Sequence, residues 1–510
     1  MDSFIEALRD ALGSSLPAGG VEVVETHISW VLLAGDYAYK VKKPVRLAFL
    51  DFSTLAARRR YCEEELRLNR RTAPDLYLDV VPLTPGADGR PVPGGEGEPV
   101  EWALRMRRFP AEALAERMAR AGALGPAQID AIGAAVAAFH AEAPRAAPAD
   151  GYGTAEQVIA PALGNFDQIA AVAGTGTEAA ALARLRAWTA GEGQRLGATF
   201  AARLAAGCVR ECHGDLHLGN IAFLDGRAVP FDCIEFDPAL RWIDVASEVA
   251  FLVMDLRAHG LAGAAWRLLN DWLQDTGDYA CAPVLRYYLV YRAMVRSKIA
   301  CLRGAAEDFR AYLALAGALA AERRPALVLM HGFSGSGKTT LSEALLEALG
   351  AVRLRSDVER KRLHGVGDPL ARTGAAVEGG IYSAAASERT YGRLVDLARA
   401  CLEEGWPVIV DAASLRRAER ERFRALAREA GVPFAVAACS ASRETLLQRI
   451  SERAARGSDA SEANAAVLQR QLARSEAPGV DEAGDLCAVD MNGEAGLREG
   501  AARVLARLGA

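Results

Sequence analysis

One stretch constrains this chain more than any other: Gly332-Phe333-Ser334-Gly335-Ser336-Gly337-Lys338-Thr339. It follows the apolar run at residues 326–330 and opens the amphipathic segment 340–349. GxxxxGK[ST] between a strand and a helix is a phosphate cradle. Its glycines let successive backbone N–H groups face an anion at the helix N-terminus. Lys338 then reaches the β- and γ-phosphates of a nucleoside triphosphate, and the Thr339 hydroxyl helps hold Mg²⁺. Gly332, Ser334, Gly335, Ser336, Gly337 and Thr340 complete the expected nucleotide contacts. Strands expected at 326–330, 351–355, 407–410 and 434–438 alternate with helices, the βαβ rhythm of a parallel α/β sheet.

Two acids extend this second half. Pro407-Val408-Ile409-Val410-Asp411 is an apolar strand ending in a carboxylate, so Asp411 can hold Mg²⁺ directly or through water, or merely cap the next turn. Asp357 follows the second strand in Arg355-Ser356-Asp357-Val358-Glu359-Arg360. Arg449 and Arg453 recur one helical turn apart, with Arg456 a further turn on, and also read as a solvated cationic face. The segment around Asp357 resembles the DxxR of zeta-toxin-like and polynucleotide-kinase-like P-loop kinases, an AAA-type ATPase-like family. That resemblance covers residues 326 to about 475. It implies that Asp357 activates the acceptor hydroxyl and that Arg360 contacts the acceptor. It also implies that Arg449 and Arg453 sit on a lid and stabilise the transferring phosphoryl group.

The first half carries a different constellation. His213-Gly214-Asp215-Leu216-His217-Leu218-Gly219-Asn220 places a carboxylate and an amide five residues apart on a loop. Phosphoryl transfer to a hydroxyl needs a base and metal-held phosphates. Asp215 can take the hydroxyl proton, Asn220 can hold Mg²⁺, and Asp232 ends a short apolar strand as a second metal ligand. Upstream, Lys40 lies on a strand, and the run Glu63-Glu64-Glu65 lies on a helix that can orient it.

These residues resemble the aminoglycoside phosphotransferase/choline kinase branch of the protein-kinase-like fold over roughly residues 20–310. The resemblance implies Asp215 as base, Asn220 and Asp232 as Mg²⁺ ligands, and Lys40–Glu65 as the ion pair that grips the α/β-phosphates. Lys42 and Glu64 compete for those roles, because spacing does not choose the register. Arg107-Arg108-Phe109-Pro110 is the expected hinge beside adenine. No glycine-rich loop precedes Lys40; Thr26-His27-Ile28-Ser29 takes its place, with Ser29 a nucleotide contact. Arg292 and Arg296 share one face of a helix expected at 287–302. They either grip an anionic acceptor or carry their charges to water.

The organisation follows. The chain has 510 residues, enough for two or three domains. A small β-rich lobe (about 20–110) and a helical lobe (about 111–322) form the first expected domain, a two-lobed α+β protein-kinase-like unit. Pro325 ends the helix before it, and 326–510 forms the second, an α/β P-loop unit with a parallel sheet. Sixty basic and 65 acidic side chains give a net charge of −5, which argues against a long nucleic-acid partner. The nine cysteines contain no CxxC pair, and Cys62, Cys208, Cys233, Cys401 and Cys439, in apolar stretches, read as reduced core residues. No apolar run is long enough to cross a membrane, and the N-terminal segment reads as an acidic amphipathic helix, not a signal peptide. The expectation is a cytoplasmic, bifunctional kinase that uses ATP (or GTP) and Mg²⁺ on small-molecule hydroxyls, sugar-like ones among them. Two alternatives stand beside it: one domain regulates the other through bound nucleotide, or the C-terminal domain phosphorylates polynucleotide 5′-hydroxyls.

Overall fold

The computed structural model describes residues 3–14, 20–47, 50–173, 176, 178–367, 371, 380–456 and 460–509. They fall into two compact units, Met1–Asp167 with Thr189–Asp255, and Gln168–Trp188 with Leu256–Ala510.

The first unit is α+β. Helix α1 (Ser3–Ser14) presents Ile5, Leu8 and Leu12 at helical spacing. These bury against Trp30, Leu32, Val41 and Leu83 of an antiparallel sheet. Its strands are β1 (Glu22–Glu25), β2 (Ser29–Ala34), β3 (Tyr37–Lys42), β4 (Tyr77–Pro85), β5 (Pro91–Pro93) and β6 (Glu101–Arg107), ordered β1-β2-β3-β6-β4-β5. Ala34 pairs with Tyr37, so β2 and β3 meet in a two-residue turn with Gly35 at φ 58°. Helix α2 (Leu55–Asn69) packs on β4 and β6. Thr54 caps it: its hydroxyl accepts the Ala57 N–H at 3.1 Å. After α3 (Pro126–Glu142), strands β7 (Val209–Glu211), β8 (Ile221–Leu224), β9 (Arg227–Pro230) and β10 (Trp242–Asp244) form two antiparallel pairs, β8 with β9 and β7 with β10. Helix α4 (Val245–Ala258) follows directly.

The second unit is α/β. Its five-stranded sheet is wholly parallel and ordered β12-β13-β11-β14-β15, from β11 (Leu327–His331), β12 (Val352–Arg355), β13 (Val408–Asp411), β14 (Phe434–Ser440) and β15 (Leu486–Asp490). Four of these lie where the sequence pattern places them. β15, outside the expected elements, closes one edge, and the C-terminal helix at Glu494–Leu508 packs against it. The other edge is covered by α5 (Ala262–Thr276), with α6 (Ala282–Leu302) and α7 (Ala306–Ala321) packed together. Asn270, buried on α5, accepts the Arg353 N–H at 2.6 Å and donates to Ala351 O at 2.8 Å. The exposed ladder of the edge strand β12 is thereby satisfied by a side chain. Trp406 donates its indole N–H to Ala282 O at 2.9 Å and stands edge-on to Trp266.

All nine cysteines are free thiols, eight of them buried. Among the described residues no helix is long and apolar enough to cross a membrane.

Candidate active sites

In the first unit, the loop between β7 and β8 is built to hold one carboxylate in place. Gly214 sits at φ 87°, and a Cβ there would lie 2.7 Å from Leu240 O, so only glycine fits. The N–H groups of His213 and Gly214 both donate to the Glu248 carboxylate of α4, at 2.9 and 2.7 Å. Glu248 is fully buried and also meets His140 Nε2 at 3.1 Å. Burial pushes its carboxyl up, but the His140 and His213 interactions outweigh that and hold it at about 2. His213 Nε2 lies 2.8 Å from Phe231 O, tying the loop to the segment that carries Asp232. Asp215 keeps a two-fifths exposed side chain, with His217 Nε2 at 3.6 Å. Asn220 donates to Asp215 O at 2.9 Å and to its carboxylate at 3.3 Å.

The charge that faces this loop comes from β3 and α2. Lys40 Nζ lies 2.7 Å from Glu65 and 2.6 Å from Asp232. Lys42 Nζ lies 2.7 Å from the other oxygen of Glu65 and also pairs with Glu235. Lys40 and Lys42 are two residues apart on one strand, so both reach the same side of the sheet. Both therefore share Glu65, while Glu64 turns to Arg67 and Arg241. Only Lys40 spans from Glu65 to Asp232. Burial pushes the Glu65 carboxyl up, but the two lysines outweigh it and hold it at about 2. Asp232 is held at φ 66°, rare for a residue with a side chain, with its N–H bonded to Tyr77 Oη at 3.0 Å. The turn that stands in for a glycine loop is closed by Thr26, whose hydroxyl accepts the Ser29 N–H at 2.9 Å. Ser29 itself is buried, and its hydroxyl has no protein partner. Glu235 and Glu248 were outside the expected site, whereas Lys42 was the expected alternative to Lys40. The signal for Glu235 was an acid inside the apolar run Cys233-Ile234-Glu235-Phe236.

In the second unit, the cradle lies between β11 and α8 (Lys338–Leu349). Gly335 (φ 82°) and Gly337 (φ 87°) are left-handed, and a Cβ on Gly335 would meet Leu446 O at 2.6 Å. Lys338 Nζ folds onto Phe333 O at 2.8 Å. Burial pushes its ammonium pKa down, against the nearby Asp411 charge. The Thr339 hydroxyl donates to Asp411 at 3.2 Å, and Arg355 Nε lies 3.8 Å from the same carboxylate. A hydroxyl and a carboxylate side by side form the half-shell of oxygen donors that suits Mg²⁺. The Ser336 hydroxyl is buried with no partner inside the cradle.

Beside it opens a cleft of about 920 Å³. Asp357, the second residue of α9 (Ser356–Leu363), lines it with Lys338, Thr339, Asp411 and Arg360. Arg449 and Arg453, on α10 (Arg443–Arg456), line it too. Arg449 donates to Met491 O at 2.7 Å and Arg453 to Ala463 O at 3.1 Å. The Arg456 side chain lies outside the described residues. Across the cradle runs α11 (Ala465–Arg474), whose Gln471 Oε1 accepts the Ser334 N–H at 2.9 Å. Gln471, Arg416, Arg470 and Arg474 also line the cleft and were not expected from the motifs.

Arg292 and Arg296 lie on α6 of the second unit. Arg292 is buried with its guanidinium over the Tyr291 ring, and Arg296 Nε meets Tyr312 Oη at 3.3 Å.

Comparison with known proteins sets these sites in context. A family model described as an AAA domain matches residues 327–478. Uncharacterized proteins of Mycobacterium bovis and Mycobacterium tuberculosis are 32% identical over 471 residues, covering 91% of this chain and 93% of theirs. Among solved structures, a gluconokinase from Sinorhizobium meliloti is 24% identical, covering 37% of this chain and 93% of its own, with a TM-score of 0.26. A choline/ethanolamine kinase family protein from Mesorhizobium loti is 13% identical, covering 61% and 92%, with a TM-score of 0.35.

Proposed function

We propose that this chain, which belongs to the family of the mycobacterial proteins it matches almost end to end, is a bifunctional ATP- and Mg²⁺-dependent phosphotransferase acting on small-molecule hydroxyls. One observation carries the reading. Each unit places an aspartate beside groups suited to phosphates and metal. In the first unit that residue is Asp215, bonded by Asn220, on the loop that His213 ties to the segment carrying Asp232 and its partner Lys40. In the second it is Asp357, in one cleft with Lys338, Thr339 and Asp411. We place the boundary between the two kinase domains at residues 322–326 and both activities in the cytoplasm.

Mg²⁺ would be held by Asn220 and Asp232 in one site and by Thr339 and Asp411 in the other, where it neutralises phosphate charge. Lys40, fixed by Glu65, takes the α/β-phosphates, and Ser29 lends its unpartnered hydroxyl. Lys338 leaves Phe333 O for the β/γ-phosphates, and the backbone of residues 332–340 surrounds them. Arg449 and Arg453 meet the charge that develops on the transferring group. Asp215 and Asp357 each orient an acceptor hydroxyl and accept its proton as the new O–P bond forms and ADP departs.

The test is phosphotransfer from ATP to a library of sugars, polyols and amino alcohols by the full chain. Asp215→Asn should remove one product and Asp357→Asn another, each lowering kcat by about 10²–10⁴ with little change in KM for ATP. Loss of both products from either single variant would favour the alternative in which one unit regulates the other. Transfer only to polynucleotide 5′-hydroxyls would favour the end-kinase alternative.

A further inference from the structure

The cleft of the second unit has an imbalance that the nucleotide does not account for. Its acids other than Asp357 are already engaged, Glu452 by Gln448. Asp411 meets Thr339 and Arg355, Glu419 accepts from Tyr391 Oη and the Arg416 N–H, and Glu462 pairs with Lys361. Four of its arginines, Arg360, Arg416, Arg449 and Arg453, have no carboxylate partner among the described residues. Arg449 and Arg453 bond only to main-chain carbonyls and stand with the phosphate cradle.

Arg360 and Arg416 belong to a different wall. Arg360 lies one turn from Asp357 on α9, so the two share a face. It is 8% exposed, its Nη1 donates to Ile381 O and Ser387 Oγ, and its guanidinium lies over the Tyr382 ring at 5.4 Å. Its Nε is buried with no partner, and no hydrogen bond engages its Nη2 among the described residues. A guanidinium this buried, held by neutral groups alone, is costly unless an anion completes it. Arg416 follows β13, and its main chain is pinned by Glu419 while its guanidinium makes no described contact. Tyr391 and Ser387 stand between the two, and all four line the cleft.

We infer that the acceptor of the second unit is an anionic polyhydroxy compound, whose carboxylate or phosphate is gripped by Arg360 and Arg416 while one of its hydroxyls faces Asp357. This rests on the kinase reading of that cleft. A guanidinium offers a planar pair of donors that matches both carboxylate and phosphate oxygens. The reaction balances simply. The acceptor oxygen bonds to the γ-phosphorus, the γ-phosphorus–oxygen bond to the β-phosphate breaks, Asp357 receives the hydroxyl proton, and ADP leaves.

The experiment uses the full chain carrying Asp215→Asn, so that only the second site turns over. Matched acceptors are offered with ATP: a neutral hexitol, the corresponding aldonate and aldarate, and the hexitol monophosphate. At least one anionic acceptor should be phosphorylated with kcat/KM ten-fold or more above the neutral one, and the carboxylate and phosphate arms say which anion is taken. Arg360→Gln should raise KM for that acceptor about 10–100-fold with KM for ATP within two-fold, Arg360→Lys should restore part of the loss, and Arg416→Gln should act in the same direction. Preference for the neutral hexitol would overturn the proposal and leave the kinase reading intact. So would an unchanged acceptor KM in both glutamine variants. Phosphorylation of no acceptor, with no anionic compound raising Tm in the presence of a non-hydrolysable ATP analogue, would also overturn it. Failure of the kinase reading itself would show separately, as no ATP binding that Lys338→Ala removes.

Discussion

The sharpest stability prediction concerns Lys42, buried where a lysine is rarely tolerated. Its side chain is fully buried and its ammonium is shared by Glu65 and Glu235, themselves 0% and 4% exposed. Lys42→Met keeps the volume and removes the charge. Glu65 retains Lys40 at 2.7 Å, but Glu235 loses its ion-pair partner. Removing one partner of a buried pair costs about 3–5 kcal/mol, because the other is stranded out of water. For a unit of roughly 230 residues each kcal/mol moves Tm by about 2–4 °C, so Tm of the first unit should fall by about 6–20 °C. Glu235→Gln should cost less, about 1–3 kcal/mol, since Lys42 still holds Glu65. The double variant Lys42→Met/Glu235→Gln leaves no stranded charge and should be more stable than Lys42→Met alone.

The pH dependence gives this prediction a second readout. Burial pushes the Glu235 carboxyl up even with Lys42 present. An acid with a raised folded pKa binds more protons folded than unfolded, so stability falls as pH rises through that interval. Without Lys42 the interval widens, and the deficit of Lys42→Met should be small at pH 4 and grow towards pH 8. Differential scanning calorimetry of the full chain measures both effects, with Lys338→Ala marking the transition of the second unit. Strict additivity of the two substitutions, or a Lys42→Met deficit independent of pH, would refute the shared buried network.

Other outcomes follow from single contacts. Glu248 is held at about 2 against an ordinary value of 4.5, so it contributes about 3 kcal/mol at neutral pH that is lost as pH falls from about 4.5 towards 2. Glu248→Gln should flatten that acid limb in a pH-resolved urea titration and lower kcat at Asp215. Gly335→Ala forces a left-handed alanine and a 2.6 Å approach to Leu446 O, and should abolish ATP binding by the second unit in isothermal calorimetry while leaving transfer at Asp215 intact. Asn270→Ala strands the Arg353 N–H at the sheet edge and should lower the second unit's Tm by about 2–8 °C.

What the sequence disclosed, and what it hid, has a physical pattern. Local signals were readable because backbone geometry or hydrophobic period dictates them. The glycines of the cradle, the strand ending at Asp411 and the amphipathic α1 are local in this sense. Pairings across the sheet were not. Lys40 and Lys42 share the strand period and lie only two residues apart ahead of the Glu63-Glu64-Glu65 run, so only the tilt of α2 on β4 and β6 decides that Glu65 points in and Glu64 out. The fold then answers a question that the alternatives had posed wrongly. Both lysines take Glu65, and they differ only in their second partner, Asp232 or Glu235.

Edge strands were hidden for a related reason. β15 carries Cys487 and Val489 on its buried side and Leu486, Ala488 and Asp490 on the other, a short alternating signal. The cover of the opposite edge comes from Asn270, a polar residue on a helix more than eighty positions away from its partner Arg353 in sequence. The same logic explains the cleft. A motif reveals residues whose spacing is fixed by the cradle, such as Lys338 and Thr339. Arg416 arrives from the segment after β13 and Gln471 from α11, and their roles depend on which neighbours already hold a counter-charge. Charge left uncompensated after folding is a property of the assembled site, and for Arg360 it is the property that selects an anionic acceptor over a neutral one.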